Sequence, residues 1–121
     1  MKRILYVEDD FINALVMQRL LKAEFEIIHA ADGETCLAML ENDQFDLILM
    51  DVNLGKGKMN GVETMHQIRA NPKTRNLIII TVTSYALPED KERFLREGFD
   101  AYIPKPVDRQ ILVKTIHQYL G

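Results

Sequence analysis

The sequence predicts an α/β fold in which five strands and five helices alternate, (βα)₅, around one doubly wound parallel sheet. Five short apolar runs recur along the chain, and segments with helical periodicity separate them. Two of the runs, Leu47–Met50 and Leu77–Ile80, are continuously apolar, as expected of strands buried on both faces of a parallel sheet. Right-handed crossovers between such strands place helices on both sides of the sheet.

The predicted strands are short and end where polar residues begin. In chain order they are Ile4–Val7, Glu26–Ala30, Leu47–Met50, Leu77–Val82 and Ala101–Ile103. The second run contains Glu26 and His29, and the fifth has only three residues, so both depart from the continuously apolar pattern.

Apolar residues at helical spacing mark the intervening helices. The five predicted faces are Ile12, Leu15, Val16, Leu20 and Leu21; Leu37 and Leu40, with Met39 and Phe45 nearby; Val62, Met65 and Ile68; Phe94 and Leu95; and Ile111, Leu112, Thr115, Ile116 and Tyr119. Asp32 and Asn60 are expected N-caps, and Pro88 suits a first helical turn. The third helix should end before Pro72, and Gly98 should close the fourth.

The bulk composition describes an ordinary globular domain. The 121 residues, 47% hydrophobic and 27% charged, predict a single domain over 1–121. No apolar stretch approaches the roughly 20 residues that span a bilayer, and no secretory signal is apparent. The net charge of −3 gives no reason to expect nucleic acid or a membrane as a partner. The single cysteine, Cys36, fits a reducing, cytoplasmic location.

Polar residues follow four of the five predicted strands. Glu8, Asp9 and Asp10 follow the first, and Asp51 with Asn53 follow the third; Thr83 and Ser84 follow the fourth, and Lys105 follows the fifth. Ligands of open parallel sheets bind outside the carboxyl ends of the strands. With strand order 2-1-3-4-5, these groups would meet at one edge of the sheet.

The predicted cluster combines crowded carboxylates with a cation and a hydroxyl. Glu8, Asp9 and Asp51 would repel one another unless a hard cation such as Mg²⁺ lay among them. Lys105 and Thr83 could then hold the oxygens of a further anionic group. These parts are typical of phosphoryl transfer, and a carboxylate such as Asp51 can form an acyl phosphate.

Five motifs of the chain together resemble those of a known family. Ile4-Leu5-Tyr6-Val7-Glu8-Asp9-Asp10, Leu49-Met50-Asp51, Asn60-Gly61, Thr83-Ser84 and Lys105-Pro106 are similar, in this order, to the motifs of response-regulator receiver domains of two-component systems, stand-alone type. The resemblance covers essentially the whole chain and implies a flavodoxin-like fold. A single motif is weak evidence, whereas five in order, each after its own strand, are specific.

The resemblance implies a role for each matching residue. Asp51 would be the phosphoacceptor, and Asp9 and Asp51 would bind Mg²⁺ with the backbone carbonyl of Asn53, while Glu8 would act through water. Lys105 and Thr83 would contact phosphoryl oxygens and catalyse phosphorylation and dephosphorylation of Asp51.

Further implications of the resemblance concern the output and the partners. Tyr102 would be an aromatic switch coupled to Thr83. The phosphoryl donor would be a sensor histidine kinase or a histidine phosphotransfer protein. The downstream target would be a protein, and a phosphorylation-linked homodimer is compatible with the family.

Two features depart from the family pattern. The loop 54–61 is longer than the usual family loop by about two residues and lacks a proline after the acceptor, so its shape and the phosphate lifetime are open. Pro104 is an unusual residue before the lysine and removes a backbone N–H.

The same residues bear on three other functions. A divergent receiver that acts as a phosphorylation-independent interaction module stays open as an alternative, although all catalytic positions are filled. A haloacid-dehalogenase-type phosphatase would need an aspartate where Asn53 stands. Flavin binding would need a phosphate-accepting loop in place of the acidic Glu8-Asp9-Asp10. Phe11 is either a docking contact or a packing residue.

Overall fold

The computed structural model describes residues 1–54, 59–84 and 87–121. Five strands and five helices alternate within them: β1 (Lys2–Val7), α1 (Phe11–Leu21), β2 (Phe25–Ala30), α2 (Gly33–Asn42), β3 (Leu47–Asp51), α3 (Gly61–Ala70), β4 (Ile78–Thr83), α4 (Pro88–Glu97), β5 (Ala101–Pro104) and α5 (Arg109–Leu120). The predicted (βα)₅ pattern is confirmed. Residues 55–58 of the predicted loop 54–61 lie outside the described residues.

All strand pairs are parallel, and the sheet order is β2-β1-β3-β4-β5. This order confirms the prediction and puts β1, β3, β4 and β5 side by side. Asp51 and Thr83 are the last residues of β3 and β4 rather than the first residues beyond them. Because parallel strands point the same way, the polar groups at their carboxyl ends gather at one edge of the sheet.

The core lies in two layers, one on each face of the sheet. One layer joins the sheet to α2, α3 and α4 through Cys36, Met65, Ile68 and Phe94. The other joins it to α1 and α5 through Ala14, Met17, Leu21, Leu112 and Ile116. Among the described residues, no helix is both long enough and apolar enough to cross a bilayer.

Predicted helix boundaries agree with the caps that the structure contains. The Asp32 carboxylate accepts from the Thr35 N–H, and Asn60 forms a reciprocal capping box with Glu63. Pro88 is in the first turn of α4, and Gly98 ends that helix with φ of 133°. Such polar caps satisfy backbone groups that a helix leaves unpaired at its ends.

The predicted face of α1 is partly wrong. Ile12, Leu15 and Val16 are 64%, 37% and 52% exposed, whereas Ala14 and Met17 are buried against the sheet. The helix carries two apolar stripes, and the sheet covers the one that runs through residues 14, 17 and 21. Similarly, Ile111 and Tyr119 of α5 and Leu95 of α4 are exposed, although each was assigned to a predicted face.

Candidate functional site

Three carboxylates meet at the carboxyl edge of the sheet. Glu8 directly follows β1 and Asp51 ends β3, which is the neighbouring strand. One carboxylate oxygen from each of Glu8, Asp9 and Asp51 lies within 4.8 Å of the others. Glu8 and Asp51 are 1% and 5% exposed, whereas Asp9 is open to solvent. The structure therefore brings together the acidic residues that the sequence assigned to one site.

The ammonium group of Lys105 lies between two of these carboxylates. Its Nζ is 3.0 Å from Asp51 Oδ2 and 3.3 Å from Glu8 Oε2. The peptide bond from Lys105 to Pro106 is cis, and the backbone N–H of Lys105 donates to the Thr83 carbonyl over 2.8 Å. The lysine is thus attached through its backbone to β4 and through its side chain to the ends of β1 and β3.

Glu8 is held by hydrogen bonds at the side chain and at the backbone. The Tyr6 hydroxyl donates to Oε2 over 3.0 Å, and the Asp10 N–H donates to Oε1 over 3.1 Å. The backbone N–H of Glu8 donates to the Ala30 carbonyl, and His29 Nε2 lies 2.6 Å from the Glu8 carbonyl. Burial of this carboxylate is therefore matched by donors at both oxygens.

Sequence reasoning missed the contacts of Tyr6 and His29 with Glu8. In the sequence, Tyr6 stands out only as part of the motif Ile4-Leu5-Tyr6-Val7-Glu8-Asp9-Asp10, and His29 only as a polar residue of the second predicted strand. Because side chains alternate along a strand, residues two apart share a face, and this signal could have related Tyr6 to Glu8. The contact of His29 depends on the pairing of β2 with β1, which the sequence does not show.

The crowding of like charges affects how the site titrates. Burial raises the pKa of the Glu8 carboxyl, and the adjacent Asp51 raises it further. Burial and the nearby Glu8 likewise raise the pKa of Asp9. Burial alone would lower the pKa of Lys105, but the carboxylates of Asp51 and Glu8 outweigh it, and the net pKa is raised. The site thus favours added positive charge.

The backbone around Asp51 is tightly constrained. The Asn53 N–H donates to Asp51 Oδ1 over 2.9 Å, so both oxygens of this carboxylate have donors. The Gly61 N–H donates to the Val52 carbonyl over 2.8 Å, and a Cβ built on Gly61 would lie 2.1 Å from the Asp51 carbonyl oxygen. A glycine at position 61 allows α3 to begin directly against this segment.

Thr83 ends β4, which pairs with β3, and Tyr102 lies on β5, which pairs with β4 at the edge of the sheet. Thr83 is 1% exposed and pairs in register with Pro104, the residue before Lys105. Tyr102 is half-buried, and its ring stacks on Phe94 of α4 with centroids 6.3 Å apart and an interplanar angle of 19°. The predicted switch residue therefore connects β5 to α4.

The donor set fits a hard divalent cation. Carboxylates of Glu8, Asp9 and Asp51 converge, and oxygen is the ligand atom that Mg²⁺ prefers. Mg²⁺ takes one or two protein carboxylates and keeps several waters, which agrees with one exposed and two buried carboxylates. Next to these oxygens, the arrangement supplies a fixed ammonium and a candidate nucleophilic carboxylate, as phosphoryl transfer requires.

Other titratable residues form ordinary contacts away from this site. His66 pairs with Glu97 over 2.9 Å on the surface, and His117 lies 3.3 Å from Glu24. Cys36 is buried in α2, and burial raises the pKa of its thiol to about 12. These three side chains lie outside the carboxylate cluster of Glu8, Asp9 and Asp51.

Comparisons with known proteins agree with this geometry. A family model described as the response regulator receiver domain matches residues 4–117. The chain is 32% identical, over 99% of its own length and 97% of the relative's, to the polar-differentiation response regulator DivK of Brucella anthropi.

Two solved structures of similar proteins share the fold over nearly the whole length of both chains. One is the receiver domain of a Pseudomonas aeruginosa sensor histidine kinase, which has a magnesium ion coordinated in its active-site cleft. It is 31% identical to this chain, with a TM-score of 0.88, and the match covers 99% of this chain and 98% of that domain. The chemotaxis protein CheY4 of Vibrio cholerae is 28% identical, with a TM-score of 0.87 and 98% of each chain covered. On its motifs, its fold and these matches, the chain belongs to the family of response-regulator receiver domains of two-component signalling systems.

Proposed function

We propose that Asp51 is the phosphoacceptor of this receiver domain. The observation that carries the proposal is the buried Asp51 carboxylate at the end of β3, with Lys105 Nζ 3.0 Å from Oδ2 and two further carboxylates beside it. A nucleophile for phosphoryl transfer needs a fixed position and neighbouring positive charge, and this residue has both.

We also assign the metal ligands to this cluster. Mg²⁺ would be held by the carboxylates of Asp9 and Asp51 and by the Asn53 backbone carbonyl, with Glu8 acting through water. When bound, Mg²⁺ neutralises negative charge that builds up on the transferred group. The exposure of Asp9 leaves room for the waters that Mg²⁺ retains.

The transfer proceeds by attack of an Asp51 oxygen on phosphorus. A phosphorus–oxygen bond forms, the phosphorus–nitrogen bond of the donor phosphohistidine breaks, and the leaving imidazole nitrogen retains the electron pair and is protonated. Lys105 would stay with an anionic phosphoryl oxygen, and the Thr83 hydroxyl would donate to another. The donor is a sensor histidine kinase or a histidine phosphotransfer protein.

The output would be a change in protein contacts. Tyr102 stacks on Phe94, so a movement of its ring coupled to Thr83 would be transmitted to α4. We propose that residues 1–121 act as one cytoplasmic receiver module. The downstream target of this module would be a protein, and phosphorylation would promote a homodimer of the module.

Phosphorylation with a small acyl phosphate donor tests the acceptor. Wild-type protein with Mg²⁺ should gain the mass of one phosphoryl group, and hydroxylamine should remove it. The gain should disappear in Asp51→Asn and when a chelator removes Mg²⁺. Peptide mapping should place the group on Asp51.

Asp10→Asn is the matched control. Asp10 is adjacent to the cluster but accepts from the Ile12 and Asn13 N–H groups as the N-cap of α1, a role that asparagine performs equally well. This variant should be phosphorylated like the wild type. If the wild type gained no hydroxylamine-labile phosphate, the acceptor assignment would be wrong, and the interaction module would be the better description.

A further inference from the structure

The phenol of Tyr6 touches the candidate site but has no part in the assignments above. Tyr6 lies in β1 with its side chain 1% exposed, and it shares a face of the strand with Glu8. Its hydroxyl donates to Glu8 Oε2 over 3.0 Å. A buried tyrosine hydroxyl usually finds some acceptor. Here the acceptor is the Glu8 carboxylate of the acidic cluster, and the same oxygen also accepts from the Lys105 ammonium.

Lys105 donates to the same oxygen of Glu8. Its ammonium lies 3.3 Å from Glu8 Oε2 and 3.0 Å from Asp51 Oδ2, so one cation is divided between two carboxylates. The Tyr6 hydroxyl has one proton to donate, and it is directed to Glu8. Glu8 Oε2 is therefore held by a neutral donor and a cationic donor at once.

A phosphoryl group on Asp51 would change what Lys105 has to neutralise. The new oxygens carry more negative charge than the Asp51 carboxylate does, and an ammonium binds them strongly. Turning toward them would move Lys105 away from Glu8. A buried carboxylate that loses all its donors is strongly destabilised. The Tyr6 hydroxyl and the Asp10 N–H would remain on Glu8 after such a movement.

We propose that Tyr6 is a positioning residue: its hydroxyl holds Glu8 Oε2, so that Lys105 can leave Glu8 for the phosphoryl group on Asp51. This inference rests on the proposed role of Asp51. Without the hydroxyl, Glu8 would depend more on Lys105 and would retain it. The Lys105 ammonium would then be less available to bind the phosphoryl group as it is transferred to Asp51.

Tyr6→Phe removes one oxygen atom and keeps the ring in the core. We expect the rate constant for phosphorylation by the small donor to fall about three- to tenfold, while Mg²⁺ affinity changes less than about twofold. Tyr119→Phe is the matched control, because it removes a hydroxyl that donates to the Asp100 carbonyl over 2.8 Å, away from the carboxylate cluster. It should phosphorylate at the wild-type rate. A rate for Tyr6→Phe within twofold of wild type would overturn the proposal.

The same substitution in a Glu8→Gln background separates positioning from packing. A neutral amide holds an ammonium much less strongly than a carboxylate does, so Tyr6→Phe should then have little further effect on the rate. If it reduced the rate equally in both backgrounds, Tyr6 would act through packing alone, and the proposal would be wrong.

A measurement on metal-free protein distinguishes failure of this inference from failure of the proposed function. Nitrogen NMR of the Lys105 ammonium, without Mg²⁺ or phosphodonor, should show a shifted resonance and slower hydrogen exchange in Tyr6→Phe, because Glu8 holds the ammonium more closely. An unchanged resonance would overturn the role of Tyr6. A wild type that accepts no phosphate would instead refute the acceptor assignment, and the NMR comparison would still report on Tyr6.

Discussion

The backbone N–H of Lys105 donates to the backbone carbonyl of Thr83 over 2.8 Å. Two residues assigned to the phosphoryl group are thus joined through the main chain where β4 and β5 run side by side. Because this bond does not involve the ammonium, a substitution of the Lys105 side chain should leave the backbone in place. The chemistry of the ammonium can therefore be tested separately from the fold.

Lys105→Met should reduce both phosphorylation and stability at neutral pH. The side chains of Glu8 and Asp51, 2% and 7% exposed, would lose their shared cation. Removing one partner of a fully buried pair costs about 3–5 kcal/mol. The Lys105 side chain is 26% exposed, so we expect about 1–3 kcal/mol in the free energy of unfolding by urea.

The pH dependence of this variant follows from Glu8. Burial and Asp51 raise the pKa of Glu8 in the folded protein, and losing Lys105 would raise it further. A carboxyl whose folded pKa is raised favours the fold below its unfolded pKa, and that contribution is lost as pH rises through the folded pKa. The stability deficit of Lys105→Met should therefore shrink as pH falls from 8 toward 5. A deficit that grew on acidification would contradict this account.

Asp9→Asn should stabilise the metal-free protein and abolish its stabilisation by Mg²⁺. Burial and the neighbouring Glu8 raise the pKa of Asp9, so its ionised form is disfavoured in the fold at neutral pH. Since the side chain is exposed, the gain should be less than about 1 kcal/mol. Thermal unfolding with and without Mg²⁺ measures both effects, because a ligand of the folded state raises the midpoint. Equal Mg²⁺ stabilisation of variant and wild type would remove Asp9 from the ligand set.

The sequence predicted the sheet and the acidic site because both depend on local patterns. Apolar runs such as Leu47–Met50 identify buried strands, and the residue after each strand is fixed at the edge of a parallel sheet by chain direction. The caps at Asp32 and Asn60 are equally local. The order of the strands, by contrast, is not a local pattern, and its prediction depended on the flavodoxin-like fold that the family resemblance implies.

Features that depend on contacts between distant segments were not predicted. The two apolar stripes of α1 fit helical spacing equally well, and only packing on the sheet selects the one containing Met17 over the one containing Ile12 and Val16. The contact of His29 with the Glu8 carbonyl requires the register of β2 on β1. The donation by Tyr6 to Glu8 joins residues only two apart, and it was missed for another reason, because it depends on the conformations of two buried side chains.

Gly61→Ala should disturb the phosphoacceptor as well as the fold. A Cβ at position 61 would lie 2.1 Å from the Asp51 carbonyl oxygen and 2.7 Å from the Val52 Cα, and both are backbone atoms that cannot rotate away. Overpacking of this kind costs about 1–3 kcal/mol. We expect a loss of that size in urea unfolding and slower phosphorylation of the folded variant. Wild-type kinetics and stability would show that the segment can shift without consequence.

Arg69 should contribute to stability without affecting phosphorylation. From α3, its guanidinium donates to the carbonyls of Arg75, Leu77 and Gly98 and to the Asp100 carboxylate, and so ties α3 to the segments before β4 and β5. We expect Arg69→Met to cost about 2–4 kcal/mol, since several acceptors lose a charged donor.

Arg96→Met is the matched control for Arg69→Met. Arg96 is 73% exposed and lies 3.9 Å from Glu92, so this change should cost less than about 0.5 kcal/mol. Urea unfolding of the two variants should separate clearly, while both phosphorylate at the wild-type rate. Equal stabilities would mean that the hydrogen bonds of Arg69 add nothing to the folded state.

The two stripes of α1 can be distinguished by substitutions at adjacent positions. Met17 is 3% exposed and belongs to the core layer that α1 and α5 form with the sheet, whereas Val16 is 52% exposed. Met17→Ala should cost about 2–4 kcal/mol because it leaves a cavity in the core. Val16→Ala should change the free energy of unfolding by less than about 0.5 kcal/mol, since alanine favours the helix and little buried area is lost. Denaturant unfolding of both variants shows which of the two stripes of α1 packs on the sheet. If Val16→Ala were the more damaging, the stripe of Ile12 and Val16 would be the one that faces the sheet in solution.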